Sequence, residues 1–197
     1  MYNLLSARET KLVNAIDKLI SELDKDKTND QIAKGDYRLY DEEKFDPTGW
    51  LDALRSGNYK QGIGHLCVVN DAEIDQDTAS VLSMDCSYCC LGVLLDITSN
   101  GWFDEDSSVL YEIEPQEDEF DINYRWMFNE MLHNAYDDGQ GTLIGYEYAD
   151  EMGLFEIAQT VLSSMNDAGA TFEEIASVIE ANDIRSIIDL ANQIKGI

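Results

Sequence analysis

Residues 89–97 read CCLGVLLDI, and no other stretch bears so strongly on the expected fold. Its apolar side chains would cover most of the circumference of a helix, which is typical of a helix buried on all sides. Residues 78–84 and 108–114 flank it, and their alternating patterns, rich in β-branched side chains, predict strands. We therefore expect a buried helix next to a small sheet.

Amphipathic helices are predicted on both sides of this stretch. Residues 1–30 contain the clearest one, with apolar residues at helical spacing and a capping box formed by Ser6 and Glu9. Residues 50–57 predict a short helix that ends at a glycine. Four further helices are predicted in the C-terminal part, over residues 124–133, 154–165, 171–179 and 184–194.

The fold class predicted from these elements is α+β, a single helix-rich domain with a small, mostly antiparallel sheet. The 197 residues suit one domain, and their 44% hydrophobic content is typical of a chain with a packed core. Within one compact domain we distinguish an N-terminal amphipathic helix at residues 1–30 and an acidic α+β part at residues 47–197. No stretch approaches the roughly 18 apolar residues of a membrane helix, so no membrane association is expected.

Charge is distributed unevenly along the chain. The net charge is −27, and residues 61–184 contain 27 Asp and Glu against a single cation, Arg125. The negative field of such a stretch repels phosphate backbones and attracts basic protein surfaces. Nucleic acid is therefore excluded as a partner. Two explanations of the acidity stay open, namely a surface that binds a basic partner and a general acidity that serves solubility or a salty cytoplasm.

The cysteines are expected to be reduced and free of metal, because the neighbours Cys89 and Cys90 cannot easily bridge each other. The alternative is a zinc site made by His65, Cys67, Cys86 and Cys89. Cys86-x-x-Cys89 is a suitable half-site for a tetrahedral metal. His65-x-Cys67 on an extended segment would place both side chains on one face, because strand side chains alternate.

A nucleophilic cysteine is a further possibility. Cys89 and Cys90 are predicted near the N-terminus of a helix, where the helix dipole lowers the pKa of a thiol. Such a nucleophile needs a base, and the sequence contains two histidines, His65 and His133. The simplest explanation is that these cysteines pack in the core as small hydrophobic side chains.

Three motifs make the sequence recognisable. They are WxxALRSGxYxQGxGxL from Trp50, YCCLGVL from Tyr88 and NDxGxTFxxIA from Asn166. Together they resemble a family of small, uncharacterised phage-encoded proteins. The resemblance implies a viral origin and a location in the host cytoplasm, and it brings no established reaction. It also implies that Cys89 and Cys90 belong to the framework that the family shares.

The charge and the resemblance together predict a phage accessory protein that binds and inhibits a host protein. The partner would have a basic surface, such as that of a nuclease, a restriction enzyme or another defence factor, and the acidic protein would imitate the charge of DNA. The alternatives are a cysteine- or zinc-dependent enzyme and a zinc-stabilised scaffold. No cofactor and no catalytic residue are assigned, and the oligomeric state is left open. The residues predicted to bind the partner are Asp104, Glu105, Asp106, Glu112, Glu114, Glu117, Asp118, Glu119, Trp102 and Tyr111.

We expect the purified protein to show no measurable affinity for DNA or RNA at physiological salt, because residues 61–184 offer phosphates one cation. An electrophoretic shift assay with labelled duplex DNA and single-stranded RNA measures this. Submicromolar binding to either nucleic acid would contradict the charge argument.

Overall fold

A computed structural model describes residues 5–25, 37–75, 80–98 and 143–197. These ranges form an α+β fold with seven helices and one two-stranded antiparallel sheet, as predicted. The predicted strand at 108–114 and the predicted helix at 124–133 lie outside the described residues. The elements in chain order are α1 (Ala7–Lys25), α2 (Thr48–Arg55), β1 (Cys67–Asp75), β2 (Ser80–Tyr88), α3 (Cys90–Thr98), α4 (Tyr146–Met152), α5 (Glu156–Ala168), α6 (Phe172–Ala181) and α7 (Ser186–Lys195).

Capping boxes begin two of the helices. At α1 the backbone N–H of Ser6 donates to the Glu9 carboxylate over 2.7 Å, and the Glu9 N–H donates to the Ser6 hydroxyl. At α6 Thr171 and Glu174 form the same reciprocal pair. Each box satisfies N–H groups that a first helical turn leaves without partners, so both helices start at residues fixed by local sequence.

The sheet is a single strand pair. β1 runs antiparallel to β2, with Cys67 opposite Tyr88 and Val69 opposite Cys86, and two register shifts interrupt the ladder. The predicted strand at 78–84 corresponds to the first half of β2, which continues to residue 88. β2 therefore ends one residue before α3, and the chain passes from the strand into the buried helix at Cys89.

The core is centred on α3. Its residues 90–95 are all buried, which confirms that this helix is covered on all sides. Helix α3 packs against α2, α5 and β2, while α1 packs against α5 and α7. The indole N–H of Trp50 donates to the carbonyl of Cys90 over 2.8 Å and anchors α2 to the start of α3. Within the described ranges, no helix has the length and apolarity needed to cross a membrane.

Buried Asn182 joins the segment at residues 39–40 to the C-terminal end of α6. Its side-chain oxygen accepts the backbone N–H groups of Leu39 and Tyr40 at 2.9 and 3.1 Å, and its NH₂ group donates to the Tyr40 carbonyl. A buried amide with its hydrogen-bonding groups engaged fixes the segments that it connects. The segment before α2 is therefore tied to the end of α6.

We expect Leu94→Ala to cost roughly 2–5 kcal/mol of unfolding free energy, because Leu94 is 1% exposed at the centre of the core. Ile97→Ala is the matched control on the same helix, since Ile97 is 36% exposed and should cost about 1 kcal/mol or less. Urea unfolding followed by circular dichroism measures both. Equal costs for the two variants would mean that α3 is placed wrongly in the core.

Candidate functional site

A cavity of about 240 Å³ lies where the loop before β1, the start of α3 and one face of α5 meet. We call it the Cys89 cavity. Because His65 and Thr160 are exposed, the cavity opens to solvent. Its lining residues are Gly64, His65, Cys89, Leu143, Thr160, Ser163 and Asp167.

A pair of side-chain amides ties the loop at residues 61–66 to α5. Gln61 donates to the side-chain oxygen of Asn166 over 2.9 Å and to the Ala170 carbonyl over 2.7 Å. Asn166, which is fully buried, donates in turn to the Gly62 carbonyl over 2.8 Å. These bonds join the first and third of the motifs identified in the sequence, which are more than a hundred residues apart. The wall of the cavity is thus fixed by polar groups whose hydrogen bonds are satisfied, with Asn166 fully buried among them.

Asp167 is held in place on the cavity wall. One of its carboxylate oxygens accepts the Gly64 N–H over 2.9 Å. Its backbone carbonyl accepts a 2.7 Å hydrogen bond from the ammonium of Lys11 on α1. Gly64 has a φ of +81°, a conformation that L side chains rarely adopt, so glycine is what allows the loop to present this N–H. The result is a positioned carboxylate in the Cys89 cavity.

The start of α3 touches the loop backbone directly. The Cys89 N–H donates to the Leu66 carbonyl over 3.1 Å. A Cβ added at Gly92 would lie 1.7 Å from the same carbonyl oxygen, so only glycine fits at this position. The second motif is therefore pressed against the first by two backbone contacts.

Cys89 has its thiol at the N-terminus of α3. The Gly92 N–H donates to its sulfur over 3.4 Å, and the residue is 3% exposed. A hydrogen bond from Cys90 lowers the pKa of Cys89, and the N–H groups of Gly92 and Leu91 act in the same direction, so that together they outweigh burial. Burial raises the pKa of Cys90 well above its usual value, so Cys90 stays a thiol that can donate. The arrangement makes the thiolate form of Cys89 more readily formed than that of an ordinary cysteine.

The alternative zinc site is not assembled. Among the residues that the structure describes, no group of three His, Cys, Asp or Glu is placed to hold one metal ion. Cys67 and Cys86 instead hydrogen-bond to each other across the sheet, which lowers the pKa of Cys86 to about 7 and raises that of Cys67. His65 and Cys89 line the cavity, so the four proposed ligands are divided into two pairs.

The physical reason lies in where β1 begins. The expectation that His65 and Cys67 share a face required both to be in a strand, but β1 starts only at Cys67. His65 is consequently exposed while Cys67 is 5% exposed. Cys89 follows the last residue of β2 and turns into the first turn of α3, so it does not continue the alternation of Cys86.

The sequence interpretation did not identify the polar face of α5. Thr160, Ser163 and Asp167 are spaced three and four residues apart, which places them on one side of a helix. The spacing is visible in the sequence. It indicates a functional site only once the loop at 61–66 is known to pack against this face of the helix.

The ten residues predicted to bind a partner, and His133, lie outside the described residues. Their predicted role stays a prediction. They are Asp104, Glu105, Asp106, Glu112, Glu114, Glu117, Asp118, Glu119, Trp102 and Tyr111.

A comparison with protein families identifies the domain. The model of a family described as a domain of unknown function, DUF8296, matches residues 42–183, which is more than half of the chain. The chain belongs to the DUF8296 family. No curated protein and no solved structure matches it. Every residue that lines the Cys89 cavity falls within the DUF8296 match, whereas Lys11 lies before it.

We expect Gly92→Ala to be strongly destabilising, at or above the upper end of the roughly 1–3 kcal/mol that overpacking costs, because the new methyl group meets a backbone carbonyl. Gly49→Ala in α2 is the matched control. Its Cβ would meet only Ile97 at 3.9 Å, and alanine favours a helix by up to about 1 kcal/mol over glycine. Urea midpoints report both, and a Gly92→Ala protein as stable as the Gly49→Ala protein would refute the contact.

Proposed function

We propose that this DUF8296 protein is a phage accessory protein that binds a basic host protein through its acidic surface and so keeps that protein from its own anionic ligand. The observation that carries the proposal is the charge of residues 61–184, in which Arg125 is the single cation among 27 acids. A surface of this kind attracts basic clefts of nucleases, restriction enzymes and other defence factors. The setting in a host cytoplasm rests on the resemblance of the three motifs to phage proteins.

The proposal is supported by the Arg and Lys side chains of the described residues, because most of them form ion pairs within the protein. Arg8 pairs with Glu174 over 2.7 Å, and Arg55 pairs with both Glu173 and Glu180. Ion pairs also engage Lys18, Lys60, Arg185 and Lys195. Most positive charge in the described part is therefore held in ion pairs, several of them with carboxylates of residues 61–184, and the chain as a whole keeps its net charge of −27.

The proposal differs in a measurable way from acidity that only serves solubility. A steered complex forms fast, and its affinity falls with salt because exposed charges are screened beyond roughly 8 Å at physiological ionic strength. Acidity for solubility predicts no specific partner and no such salt dependence. Aromatic anchors such as Trp102 and Tyr111 would add the contact area that charge alone does not provide.

The test begins with affinity capture from a host-cell lysate at low salt, elution with salt, and purification of the retained protein. Two triple variants then remove charge from the acidic stretch, and the substitutions are Asp104→Asn, Glu105→Gln and Asp106→Asn in the first, and Glu117→Gln, Asp118→Asn and Glu119→Gln in the second. We expect each to slow association with the purified partner by about tenfold, since steering raises on-rates by this order. Surface plasmon resonance measures the rates.

The matched control neutralises three exposed carboxylates outside residues 61–184, Glu43, Asp52 and Asp189. It changes the net charge equally but should leave the on-rate within about twofold of the unmodified protein, because distant exposed charges are screened. All three variants should keep the thermal stability of the parent. If both acidic-stretch variants keep full affinity for the partner, the acidic residues do not form the binding surface, and the proposed function is wrong.

A further inference from the structure

The Cys89 cavity has no role in binding through an acidic surface, yet it contains the elements of a reactive site. Its wall brings a thiol, an imidazole, a carboxylate and two hydroxyl groups around one opening, from Cys89, His65, Asp167, Thr160 and Ser163. Two of these groups come from a loop and a helix start, and three come from α5. At about 240 Å³ it is smaller than the roughly 300–1,000 Å³ of pockets for drug-sized ligands, so its ligand is small.

The hydrogen bonds around Cys89 restrict the chemistry that it can perform. In acyl transfer, free N–H groups near the nucleophile stabilise the developing oxyanion. Here the Cys89 N–H is already engaged by the Leu66 carbonyl, and the Gly92 N–H is directed at the sulfur itself. Because both N–H groups already have acceptors, neither is free to stabilise an oxyanion. The Gly92 N–H instead stabilises a thiolate at Cys89. Thiol–disulfide exchange needs only an accessible thiolate and a disulfide.

Cys90 supports this chemistry without taking part in it covalently. Its single S–H has two acceptors, the Leu162 carbonyl at 3.6 Å and the neighbouring Cys89 sulfur, and the residue is fully buried. A neighbouring residue cannot easily form a disulfide with Cys89, so Cys90 acts as a hydrogen-bond donor and not as a resolving thiol. An adduct on Cys89 is therefore stable until an external thiol removes it.

Asp167 determines which disulfides are favoured. Its carboxylate is fixed on the cavity wall by the Gly64 N–H, and the chain as a whole carries a net charge of −27. A disulfide with an ammonium group near its sulfurs is attracted into such a cavity, and one with carboxylates is repelled. Small aminothiol disulfides such as cystamine combine the right charge and the right size.

We propose that Cys89 is a nucleophilic thiol that forms a mixed disulfide with small, cationic aminothiol disulfides in the Cys89 cavity. The Cys89 thiolate attacks one sulfur of the disulfide, the Cys89 S–S bond forms, and the original S–S bond breaks. The departing aminothiolate takes the bond's electron pair and a proton from solvent. No other oxidant or reductant is consumed, because the disulfide supplies the oxidising equivalents.

The experiment uses the full chain with Cys86→Ser, because half-buried Cys86 is a competing thiol whose pKa is about 7. Cystamine is compared with 2-hydroxyethyl disulfide, a neutral probe of nearly the same shape. Each rate at pH 7 is divided by the rate for an unstructured cysteine peptide, which removes the intrinsic difference between the probes. Intact mass and peptide mapping locate the adduct.

We expect one adduct per chain, at Cys89, and a normalised preference for cystamine of about fivefold, the order of effect that one nearby carboxylate produces in a partly hydrated site. Adding Cys89→Ser should abolish the adduct. Asp167→Asn, which keeps an oxygen for the Gly64 N–H, should remove the preference. The same substitution should change the rate of the neutral probe by less than about twofold, because that probe carries no charge for Asp167 to attract.

A purely structural role for Asp167 predicts that both probes change by the same factor, so a loss of rate confined to cystamine separates the two explanations. Thermal melts of all variants establish that they are folded. The proposal is overturned if Cys89 is modified only under conditions that unfold the chain, or if the folded protein shows the same probe preference as the peptide.

Discussion

The contact between the Leu66 carbonyl and Gly92 is the constraint on which the rest of the site depends. It presses the start of α3 against the loop at 61–66 with no side chain between the two backbones. The loop can lie there because Gln61 and Asn166 hold it on α5. Burial of α3, the orientation of Cys89 and the position of Asp167 all follow from this arrangement of three segments. A methyl group at residue 92 would separate them.

Local patterns were sufficient to predict six of the seven helices that the described residues form, and the short helix α4 was not predicted. CCLGVLLDI is buried at every position from 90 to 95, and the boxes at Ser6 and Thr171 begin helices where predicted. An extended segment was predicted at Cys67, but not a strand that continues over the acidic residues Asp71, Glu73 and Asp75 of β1. Its pairing with β2 is a tertiary contact, and periodicity does not reveal such contacts when a strand is this polar.

The site could be predicted only in part. A nucleophilic Cys89 or Cys90 near a helix N-terminus, with His65 or His133 as its base, was among the possibilities considered from sequence, and of these residues Cys89 and His65 line the cavity. Asp167 was missed, since nothing local indicates that a loop a hundred residues earlier will bind it. The structure does not bring the four residues of the zinc alternative together, because that interpretation extended strand alternation to His65, which precedes the strand. The acidic stretch remains a prediction from charge, and its proposed function does not depend on the cavity.

The central claim is that the loop at 61–66, the start of α3 and α5 form one rigid unit. Native-state hydrogen exchange at the amides of Gly62, Gly64 and Cys89 tests it directly, because each of these N–H groups has a partner within 3.1 Å. The account predicts that all three exchange only through opening events close in free energy to global unfolding, as core amides do. Fast exchange typical of an open surface loop, at the same time as the α3 amides stay protected, would contradict it.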